Sequence, residues 1–538
     1  MERNLSQIFT KAVALKSGFI SKHGELNPVV TGLEYDSRKI QPGNLFFALS
    51  GLHTDGSLFI TNAINRGALV IVHENDIEDI NPNVVYLKVK SSRFAMSPIS
   101  ASYFNYPSRS LLITGVTGTE GKSTTVYLIY QLLTKLGKKT GFISTVQHSF
   151  GDEIIWNTEH QTTPEAPVIQ RMLREMADNG CEFAVIESSS HGLSEKTNRL
   201  GDVDFCSGVL TNLTHEHLEF HGTWEQYRDD KANLFRALNN YTPPSESSFF
   251  GPFGVVNADD KNSRYFAKLN QHKTFRYSPA GRDGDVILET IESSAWGNWY
   301  TISIPAKKER LELRDKLPGA YNSGNVLAAL LTVSGLLKLS LRDIAPYVKE
   351  LVPVKGRMTN INKGQPFEVV VDYAHTPSSF QAIFSPLRAR MDKTGGRIIS
   401  LFGSAGERDT QKRSEQGKIA ATYSDMIVLT DEDPRGEKPM DILEEIEKGV
   451  LANQGLRIVK TAVHPDVKID QNRATFKRDD NLFLIPDRPA AIRKAFSIAR
   501  QGDLVLLLGK GHENSIIYAD HVLDYDEINE AEKALGEI

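Results

Sequence analysis

The run Gly115-Val116-Thr117-Gly118-Thr119-Glu120-Gly121-Lys122-Ser123-Thr124-Thr125 decides the fold in the middle of this chain. The apolar segment Leu111-Leu112-Ile113 precedes it and an apolar helical stripe follows it. A strand, a glycine loop, a Lys-Ser pair and a helix in this order form a phosphate cradle, since backbone N–H groups and the helix N-terminus attract anions. Lys122 supplies a point charge and the Ser123 hydroxyl reaches Mg²⁺. The residues predicted to bind ATP are Gly118, Thr119, Glu120, Gly121, Lys122, Ser123 and Thr124.

The composition is that of an ordinary globular protein. The chain has 538 residues, of which 40% are hydrophobic and 24% charged, and its net charge is −5. Two cysteines, Cys181 and Cys206, exclude a disulfide framework and suit a reducing cytosol. There is no long apolar run, signal peptide or basic block. We therefore expect a cytoplasmic protein with no membrane span and no nucleic-acid partner, whose N-terminus forms an amphipathic helix.

Three α/β blocks follow one another along the chain. The first, residues 1–107, has short β-like runs at 44–49 and 68–72, and the second, 108–350, alternates strands and helices from the glycine loop onward. In the third block, residues 351–538, five apolar strand candidates alternate with four helix candidates. Apolar strands separated by helices predict a parallel, doubly wound sheet. The strand candidates are 368–372, 397–402, 426–430, 481–485 and 504–508, and the helix candidates are 379–391, 412–423, 439–451 and 489–500.

Polar residues follow two strands of the central block. Glu187 ends one strand, and His215, His217 and His221 follow the next. A carboxylate and imidazoles beside a phosphate loop predict a cation that bridges ATP oxygens. Zinc is the alternative, but neither cysteine is placed to help and no His-Glu-x-x-His pattern occurs.

Lys231 lies ten residues after His221. Tyr227, Lys231 and Leu234 share one helical face by their i, i+4, i+7 spacing. From spacing alone, the favoured interpretation is a solvated lysine next to two aspartates.

Four polar clusters fall at strand ends of the third block and outline a pocket that carries both charge signs. Arg408 and Arg435 are suited to grip a carboxylate, and Glu432, Asp433 and Glu513 to receive an ammonium group. An amino acid fits this mixture; unrelated capping turns are the alternative. The predicted amino-acid-binding residues are Arg408, Glu432, Asp433, Arg435, Gly509 and Glu513.

The motifs together resemble the Mur ligases of bacterial cell-wall synthesis, and in particular the members that add a diamino acid. The resemblance spans nearly the whole chain. It is carried by Thr31-Gly32-Leu33-Glu34-Tyr35-Asp36-Ser37-Arg38, the loop around Lys122, Ser189-Ser190-His191-Gly192-Leu193, Asp372-Tyr373-Ala374-His375-Thr376-Pro377 and Gly509-Lys510-Gly511-His512-Glu513. It implies three domains: a small UDP-binding domain, a central P-loop ATPase-like parallel sheet and a C-terminal Rossmann-like sheet.

The resemblance also implies roles for single residues. The implied reaction is ATP-dependent: ATP phosphorylates the D-glutamyl carboxylate of UDP-N-acetylmuramoyl-L-alanyl-D-glutamate, and the amine of a diamino acid then displaces phosphate. Lys231 matches a lysine that the family carbamylates, which reverses the solvated interpretation. The implied muramyl-peptide ligands are Ser37, Thr162, Thr163, Ser189 and Arg199. The implied Mg²⁺ ligands are Ser123, Glu187, His217 and carbamylated Lys231, and the further ATP ligands are Asn325 and Arg357. The implied catalytic residues are Lys122, Lys231 and His217. We expect a monomer.

Two departures from the family pattern bear on the substrates. The loop has Glu120 where the family usually has Asn, and we predict that this side chain points away from the phosphates or towards the metal. The run Glu432-Asp433-Pro434-Arg435 has an acid where diaminopimelate-adding members typically have Asn. Arg435 favours meso-diaminopimelate, whereas Asp433 favours lysine or ornithine; the balance inclines to diaminopimelate.

Other functions stay open. Folylpolyglutamate synthases share the phosphate loop but normally lack the first domain. A nucleotide-dependent switch or transport ATPase would need an effector surface or an arginine finger that nothing here identifies, and a non-catalytic nucleotide-binding protein is a third alternative.

Overall fold

The computed structural model describes residues 1–50, 55–157, 162–214, 218–241, 251–294, 297–452, 476–478 and 481–538. The chain divides into two compact units, Met1–Val352 and Pro353–Ile538. The first unit contains a five-stranded and an eleven-stranded sheet, and the second contains a seven-stranded sheet. The predicted metal ligand His217 and most of the segment Thr461–Asp480 lie outside the described residues.

The strands are β1 (Arg3–Asn4), β2 (Phe19–His23), β3 (Val29–Val30), β4 (Gly32–Glu34), β5 (Asn44–Phe47), β6 (Val70–His73), β7 (Val85–Val89), β8 (Leu112–Thr117), β9 (Thr140–Ile143), β10 (Gln147–Ser149), β11 (Ile154–Trp156), β12 (Phe183–Glu187), β13 (Phe205–Leu210), β14 (Phe253–Asn257), β15 (Lys273–Ser278), β16 (Val286–Ser294), β17 (Gly297–Ile304), β18 (Glu309–Arg314), β19 (Thr359–Ile361), β20 (Glu368–Asp372), β21 (Ile398–Phe402), β22 (Met426–Leu429), β23 (Phe476–Arg478), β24 (Leu482–Leu484), β25 (Leu504–Leu508), β26 (Ser515–Ile517) and β27 (Val522–Asp524).

The α-helices are α1 (Leu5–Ile8), α2 (Lys11–Lys16), α3 (Ile60–Asn65), α4 (Ser92–Tyr103), α5 (Lys122–Lys135), α6 (Ala166–Asp178), α7 (Ser190–Leu193), α8 (Leu218–His221), α9 (Trp224–Ala237), α10 (Ser263–Leu269), α11 (Asn322–Leu337), α12 (Leu341–Ile344), α13 (Pro377–Thr394), α14 (Gln411–Tyr423), α15 (Pro439–Ala452), α16 (Arg488–Ile498) and α17 (Glu527–Gly536).

The first sheet has the order β2-β7-β6-β5-β4. Strands β4 to β7 are parallel, and β2 adds an antiparallel edge. The prediction of one N-terminal helix is wrong, because two short helices form instead. The side chain of Thr10 accepts a hydrogen bond from the backbone N–H of Val13, so it caps a second helix and ends the first.

The second sheet has the order β11-β10-β9-β12-β8-β13-β14-β15-β16-β17-β18. The neighbouring strands β9-β12-β8-β13-β14-β15-β16 are parallel. Antiparallel strands extend the sheet at both edges, β10 and β11 beside β9, and β17 and β18 beside β16. Helices α5 and α11 pack on one face, and α6 and α9 on the other. The phosphate-loop strand β8 thus lies between β12 and β13, whose C-terminal ends open beside the loop.

The third sheet has the order β19-β20-β25-β21-β22-β24-β23 and a parallel centre. Alternate residues of β25 face opposite cores: Leu504 and Leu506 pack with α13 to α15, and Val505 and Leu507 with α16 and α17. Burial on both faces explains why these strands read as continuous apolar runs. The predicted fold class is confirmed, since all three sheets belong to α/β layers and this one is doubly wound.

No single helix among the described residues is long and apolar enough to cross a membrane. One bent pair, Asn322–Leu337 with Leu341–Glu350, passes that length and composition test only when its two helices are taken together.

Candidate active site

The phosphate loop connects β8 to α5 and depends on two glycines with positive φ. Gly118 has φ +148°, and a Cβ there would lie 1.9 Å from Thr211 Oγ1. Gly121 has φ +80°, and its Cβ would lie 2.5 Å from Asn325 Oδ1. Both positions therefore require glycine on backbone and steric grounds. Asn325, which the resemblance implied as an ATP ligand, is thus brought against the loop by α11.

The strand next to β8 fixes the shape of the loop. Thr211 donates its hydroxyl to the carbonyl of Glu120 at 2.6 Å, and Asn212 Oδ1 accepts from the Glu120 backbone N–H at 3.0 Å. The Glu120 side chain itself is exposed. Lys122 folds back so that Nζ donates to the Thr119 carbonyl at 2.7 Å. The loop is therefore held by hydrogen bonds to the two residues that follow β13 and by the internal bond of Lys122 before any phosphate binds.

Lys231 lies beneath this loop and is not solvated. It is 2% exposed, and its Nζ donates to the carbonyl of Gly118 at 2.7 Å. The same Nζ lies 4.7 Å from the centre of the Tyr227 ring, and the Tyr227 hydroxyl lies 3.0 Å from Thr119 Oγ1. The interpretation from spacing alone is wrong because α9 packs directly on the loop, which turns the shared face of the helix inward.

The groups suited to a divalent cation are oxygen donors at the strand ends. Glu187 ends β12 and is 2% exposed, and its Oε2 accepts from the backbone N–H of Thr145 at 2.9 Å. Ser123 lies in the first turn of α5 and is buried. Among the residues that the structure describes, no three His, Cys, Asp or Glu side chains gather as a metal site. A carboxylate and a hydroxyl are hard oxygen ligands that suit Mg²⁺, and Lys231 would join them only as an anionic carbamate.

Three of the predicted muramyl-peptide ligands form one cluster. Thr163 donates its hydroxyl to the Glu187 carbonyl at 2.9 Å, and its Oγ1 lies at hydrogen-bond distance, 2.9 Å, from Ser189 Oγ. Arg199 donates to the Thr163 carbonyl at 2.8 Å and to Glu165 Oε1 at 2.8 Å. The side chain of Arg199 is 13% exposed, and Glu165 pairs with it and also with Arg93 at 3.2 Å, so one carboxylate is shared by two guanidinium groups.

The other two predicted ligands lie on other elements. Ser37 begins the 3₁₀ turn Ser37–Lys39 that follows β4 of the first sheet, and it is buried. Thr162 precedes Thr163 and is half-buried.

In the second unit, polar side chains gather at the carboxyl ends of β20, β22 and β25. Lys510 is fully buried, and its Nζ lies 2.8 Å from Asp433 Oδ1 and 2.6 Å from Glu513 Oε2. Burial alone lowers the pKa of Lys510, but the two carboxylates outweigh it and raise that pKa. The sequence pattern gave Asp433 weight as an acid that favours lysine or ornithine. In the structure Asp433 shares the ammonium of Lys510 with Glu513, so part of its charge is compensated within the protein.

The remaining predicted residues of this pocket differ in exposure. Gly509 has φ +100°, and a Cβ there would lie 3.2 Å from Glu432 Oε2, so the backbone approaches that buried carboxylate closely. Arg435 is half-buried and joins the strand β26 through its backbone N–H, which donates to Ile517 O at 2.9 Å. Arg408 is exposed.

Arg357, the last predicted ATP ligand, packs its guanidinium 4.6 Å from the centre of the Tyr373 ring. The ring of His512 lies 4.6 Å from that of Tyr373 on the same cluster. Burial, with the charge of Arg357 nearby, holds the pKa of His512 well below its usual range.

Sequence reasoning missed Arg488, which organises this pocket. It is fully buried and forms a two-pronged ion pair with Glu527, while it donates to the carbonyls of Asp431 at 2.9 Å and Leu508 at 2.7 Å. These carbonyls lie at the ends of two strands, directly before Glu432 and Gly509. No local signal marks such a residue, since its partners lie 20 to 57 positions away.

Family models match the chain in three stretches: "Mur ligase family, catalytic domain" over residues 29–102, "Mur ligase middle domain" over 116–333 and "Mur ligase, glutamate ligase domain" over 356–511. A UDP-N-acetylmuramyl-tripeptide synthetase of Treponema denticola is 45% identical over 98% of this chain and 98% of that protein. A UDP-N-acetylmuramoyl-L-alanyl-D-glutamate–2,6-diaminopimelate ligase of Clostridium tetani is 33% identical over 96% of this chain and 97% of that protein.

The fold of the chain is also similar to that of a solved ligase structure. The structure of a UDP-N-acetylmuramoyl-L-alanyl-D-glutamate–2,6-diaminopimelate ligase matches with a TM-score of 0.59 and 26% identity. The match covers 94% of this chain and 95% of that one.

Proposed function

Since the chain belongs to the Mur ligase family, we propose that it joins a diamino acid to UDP-N-acetylmuramoyl-L-alanyl-D-glutamate at the expense of ATP in peptidoglycan precursor synthesis. The observation that carries the proposal is the buried contact of Lys231 with the Gly118 carbonyl, at 2.7 Å. That contact ties a modifiable amine to the phosphate loop. We further propose that the enzyme acts as a monomer in the cytoplasm.

The chemistry has two steps. A carboxylate oxygen of the D-glutamyl residue attacks the γ-phosphorus of ATP, which forms an acyl phosphate and releases ADP. The amine of the diamino acid then attacks the acyl carbon, so that an amide forms while inorganic phosphate and a proton leave. Phosphoryl transfer of this kind depends on positioning and on electrostatic stabilisation rather than on a protein nucleophile.

The phosphate loop supplies that stabilisation. Lys122 exchanges its hydrogen bond with the Thr119 carbonyl for the transferring phosphoryl group, and the N-terminus of α5 adds its partial positive charge. The buried hydroxyl of Thr125 donates to Asn325 Oδ1 at 3.2 Å, which fixes that side chain beside Gly121. Asn325 is therefore kept as a proposed nucleotide ligand, whereas Arg357 rests on the family resemblance alone.

Mg²⁺ would be held by Ser123, Glu187, His217 and carbamylated Lys231, and it would neutralise charge on the phosphates. The neutral amine of Lys231 adds CO₂ and loses a proton, so a cation next to the loop becomes an anion. Mass spectrometry of the intact protein under bicarbonate tests this step. A mass of the unmodified chain in the presence of ATP would contradict it.

The acceptor is proposed to bind at Ser37, Thr162, Thr163, Ser189 and Arg199. Arg199 would bind the anionic acceptor while it keeps its contact with Glu165, because a guanidinium has five N–H donors and the described contacts with Thr163 and Glu165 use two of its nitrogens.

The diamino acid is proposed to bind in the second unit at Arg408, Glu432, Asp433, Arg435, Gly509 and Glu513. Because Asp433 and Glu513 share the ammonium of Lys510, each is a weaker partner for a side-chain ammonium than its own charge suggests. Arg435 can pair with a distal carboxylate, so meso-diaminopimelate stays the proposed substrate, with lysine and ornithine as the alternatives.

The test is phosphate release from ATP by the purified protein, with the muramyl dipeptide acceptor and with diaminopimelate, lysine or ornithine supplied separately. Release that needs the acceptor and one of the three amino acids supports the ligase and names its substrate. Release that needs only a folate and glutamate would point to the folylpolyglutamate alternative. ATP binding without release under any condition would indicate a non-catalytic binding protein.

A further inference from the structure

Three buried side chains of the first unit form a row that lies outside the proposed ligand sets, although the sequence pattern had grouped His221 with the imidazoles expected near a cation. His221 Nδ1 lies 2.6 Å from Asp230 Oδ2, and His221 Nε2 lies 3.0 Å from Ser190 Oγ. Their exposed fractions are 2% for Ser190, 4% for His221 and 2% for Asp230. Gln226 completes the row, since its Nε2 donates to Asp230 Oδ1 at 3.0 Å.

The order Ser-His-Asp is that of a hydrolase triad, but the burial argues against nucleophilic catalysis. A nucleophile must reach a substrate carbonyl, and Ser190 Oγ belongs to a residue that is 98% buried at the start of α7. A buried polar row whose members are all satisfied instead fixes the elements that carry it.

The elements joined by this row carry a proposed ligand of the acceptor and a proposed ligand of Mg²⁺. Ser190 directly follows Ser189, whose Oγ lies 2.9 Å from Thr163 Oγ1 in the acceptor cluster. Asp230 directly precedes Lys231, whose Nζ contacts the phosphate loop. His221 is the side chain at which these two segments meet.

Aromatic packing supports the same connection. The Tyr227 ring lies 5.2 Å from that of His221, and the Tyr227 hydroxyl reaches Thr119 Oγ1 of the phosphate loop. On the other side, the ring of His191 lies 5.3 Å from that of His221. The imidazole is therefore enclosed by groups from the acceptor loop and from α9.

The hydrogen-bond partners fix the orientation of the imidazole. A carboxylate accepts, so Nδ1 donates to Asp230, and Nε2 is left to form the hydrogen bond with the Ser190 hydroxyl. A flip or rotation of the ring would break both bonds inside the protein. The position of Ser190 relative to Asp230 is therefore set by the width of one imidazole.

We propose that His221 is a positioning residue of the ligase reaction, which holds the loop of acceptor ligand Ser189 in register with the helix of Lys231. The inference rests on the proposed function, because it assumes that these two residues serve the acceptor and the metal. His221 is not itself among the proposed substrate ligands, and its two ring nitrogens are occupied by Asp230 and Ser190.

The test uses variants that keep different parts of the row. His221→Asn keeps a donor near Asp230, His221→Gln keeps a polar group near Ser190, and His221→Phe keeps only the ring shape. Ser190→Ala removes the hydroxyl at the far end. His272→Phe, at an exposed histidine, is the control. For each variant, circular dichroism establishes folding, and kcat and the KM of each substrate are then measured.

We expect His221→Phe to lower kcat/KM for the acceptor by about 10- to 100-fold, because small misplacements far from the reacting atoms have effects of that size. The KM of the diamino acid should not change, since its proposed residues lie in the second unit. His221→Asn and His221→Gln should each recover part of the loss. Ser190→Ala and His221→Phe together should lose less than the product of their single effects, since they remove the same contact.

Several outcomes would overturn the proposal. One is a set of folded variants with unchanged kinetics; another is a loss that follows only the folded fraction and affects all three substrates equally. If His221→Phe does not fold, Ser190→Ala decides: a weaker acceptor interaction supports the proposal, and an unchanged one overturns it.

A separate measurement distinguishes failure of the proposed function. Binding of the muramyl dipeptide acceptor to the full chain is measured by calorimetry, with a non-hydrolysable ATP analogue and no diamino acid. If the wild type binds no acceptor and turns nothing over, the proposed function fails and this inference fails with it. If the wild type binds acceptor as tightly as His221→Phe and Ser190→Ala do, only the inference about His221 is overturned.

Discussion

The buried pair of Arg488 and Glu527 offers the sharpest test of how the second unit is held together. Both side chains are 0% exposed, and two hydrogen bonds of 2.8 and 2.6 Å join them. The carboxylate of Glu527 stabilises the buried charge of the guanidinium. It raises the pKa of Arg488, although burial alone lowers that pKa. We therefore predict that Glu527→Gln, which keeps the shape but removes the charge, destabilises the second unit.

The size of the effect follows from the contacts. Loss of one partner leaves a buried charge uncompensated, at a cost of about 3 to 5 kcal/mol. Glutamine still offers one acceptor to the guanidinium, so the free energy of unfolding lost in Glu527→Gln should be about 3 kcal/mol, the lower end of that range. The loss in Arg488→Met should be about 5 kcal/mol, because this variant also leaves the carbonyls of Asp431 and Leu508 without their donor. The double replacement Arg488→Met with Glu527→Met should cost less than the sum, since no charge stays buried.

The assay must report on the second unit. All four tryptophans lie at position 299 or earlier, so tryptophan fluorescence reports on the first unit. Hydrogen exchange of peptides that cover β25 measures the second unit, and peptides that cover β12 are the internal control. A loss of about 3 kcal/mol speeds exchange of the β25 amides by roughly 100-fold, provided that they exchange through cooperative unfolding. Unchanged protection of β25 in folded Glu527→Gln would refute the reasoning.

Three further predictions concern single residues. Burial raises the pKa of Asp431 to about 7, so the folded state keeps a proton that the unfolded state releases near pH 4. This group alone should lower the free energy of unfolding of the wild type by about 3 kcal/mol between pH 5 and pH 8. Urea titrations at the two pH values should show that decrease in the wild type and not in Asp431→Asn. Gly118→Ala should abolish ATP binding in calorimetry because its Cβ would meet Thr211 Oγ1 at 1.9 Å, while Gly137→Ala, which has positive φ but nothing within 4 Å, should keep it. Lys231→Arg keeps a positive charge but cannot add CO₂, so turnover should fall by about 100-fold or more; wild-type turnover in this variant would contradict the carbamate.

Local sequence patterns predicted most of the third sheet. The strands 368–372 and 504–508 were predicted at their observed bounds, and helix 412–423 within one residue. Apolar runs of strand length, separated by helical periodicity, leave few alternatives when both faces of the sheet are buried. The antiparallel strands β16 to β18 were not predicted. Most of β16 after Leu288 is exposed and shows no sustained alternation, whereas β17 and β18 do alternate between buried and more exposed residues, a signal that the sequence analysis did not use.

The sequence by itself determined the phosphate loop, the α/β class and the resemblance to the Mur ligases, because each depends on residues that are close along the chain. The tertiary structure alone decided the state of the charged side chains. It placed Lys231 under Gly118, 113 positions away, and paired Asp433 with Lys510, 77 positions away. Whether a lysine is solvated or buried, and whether an aspartate is compensated, depends on what other segments bring to it, and spacing along one helix or one strand end carries no information about those partners.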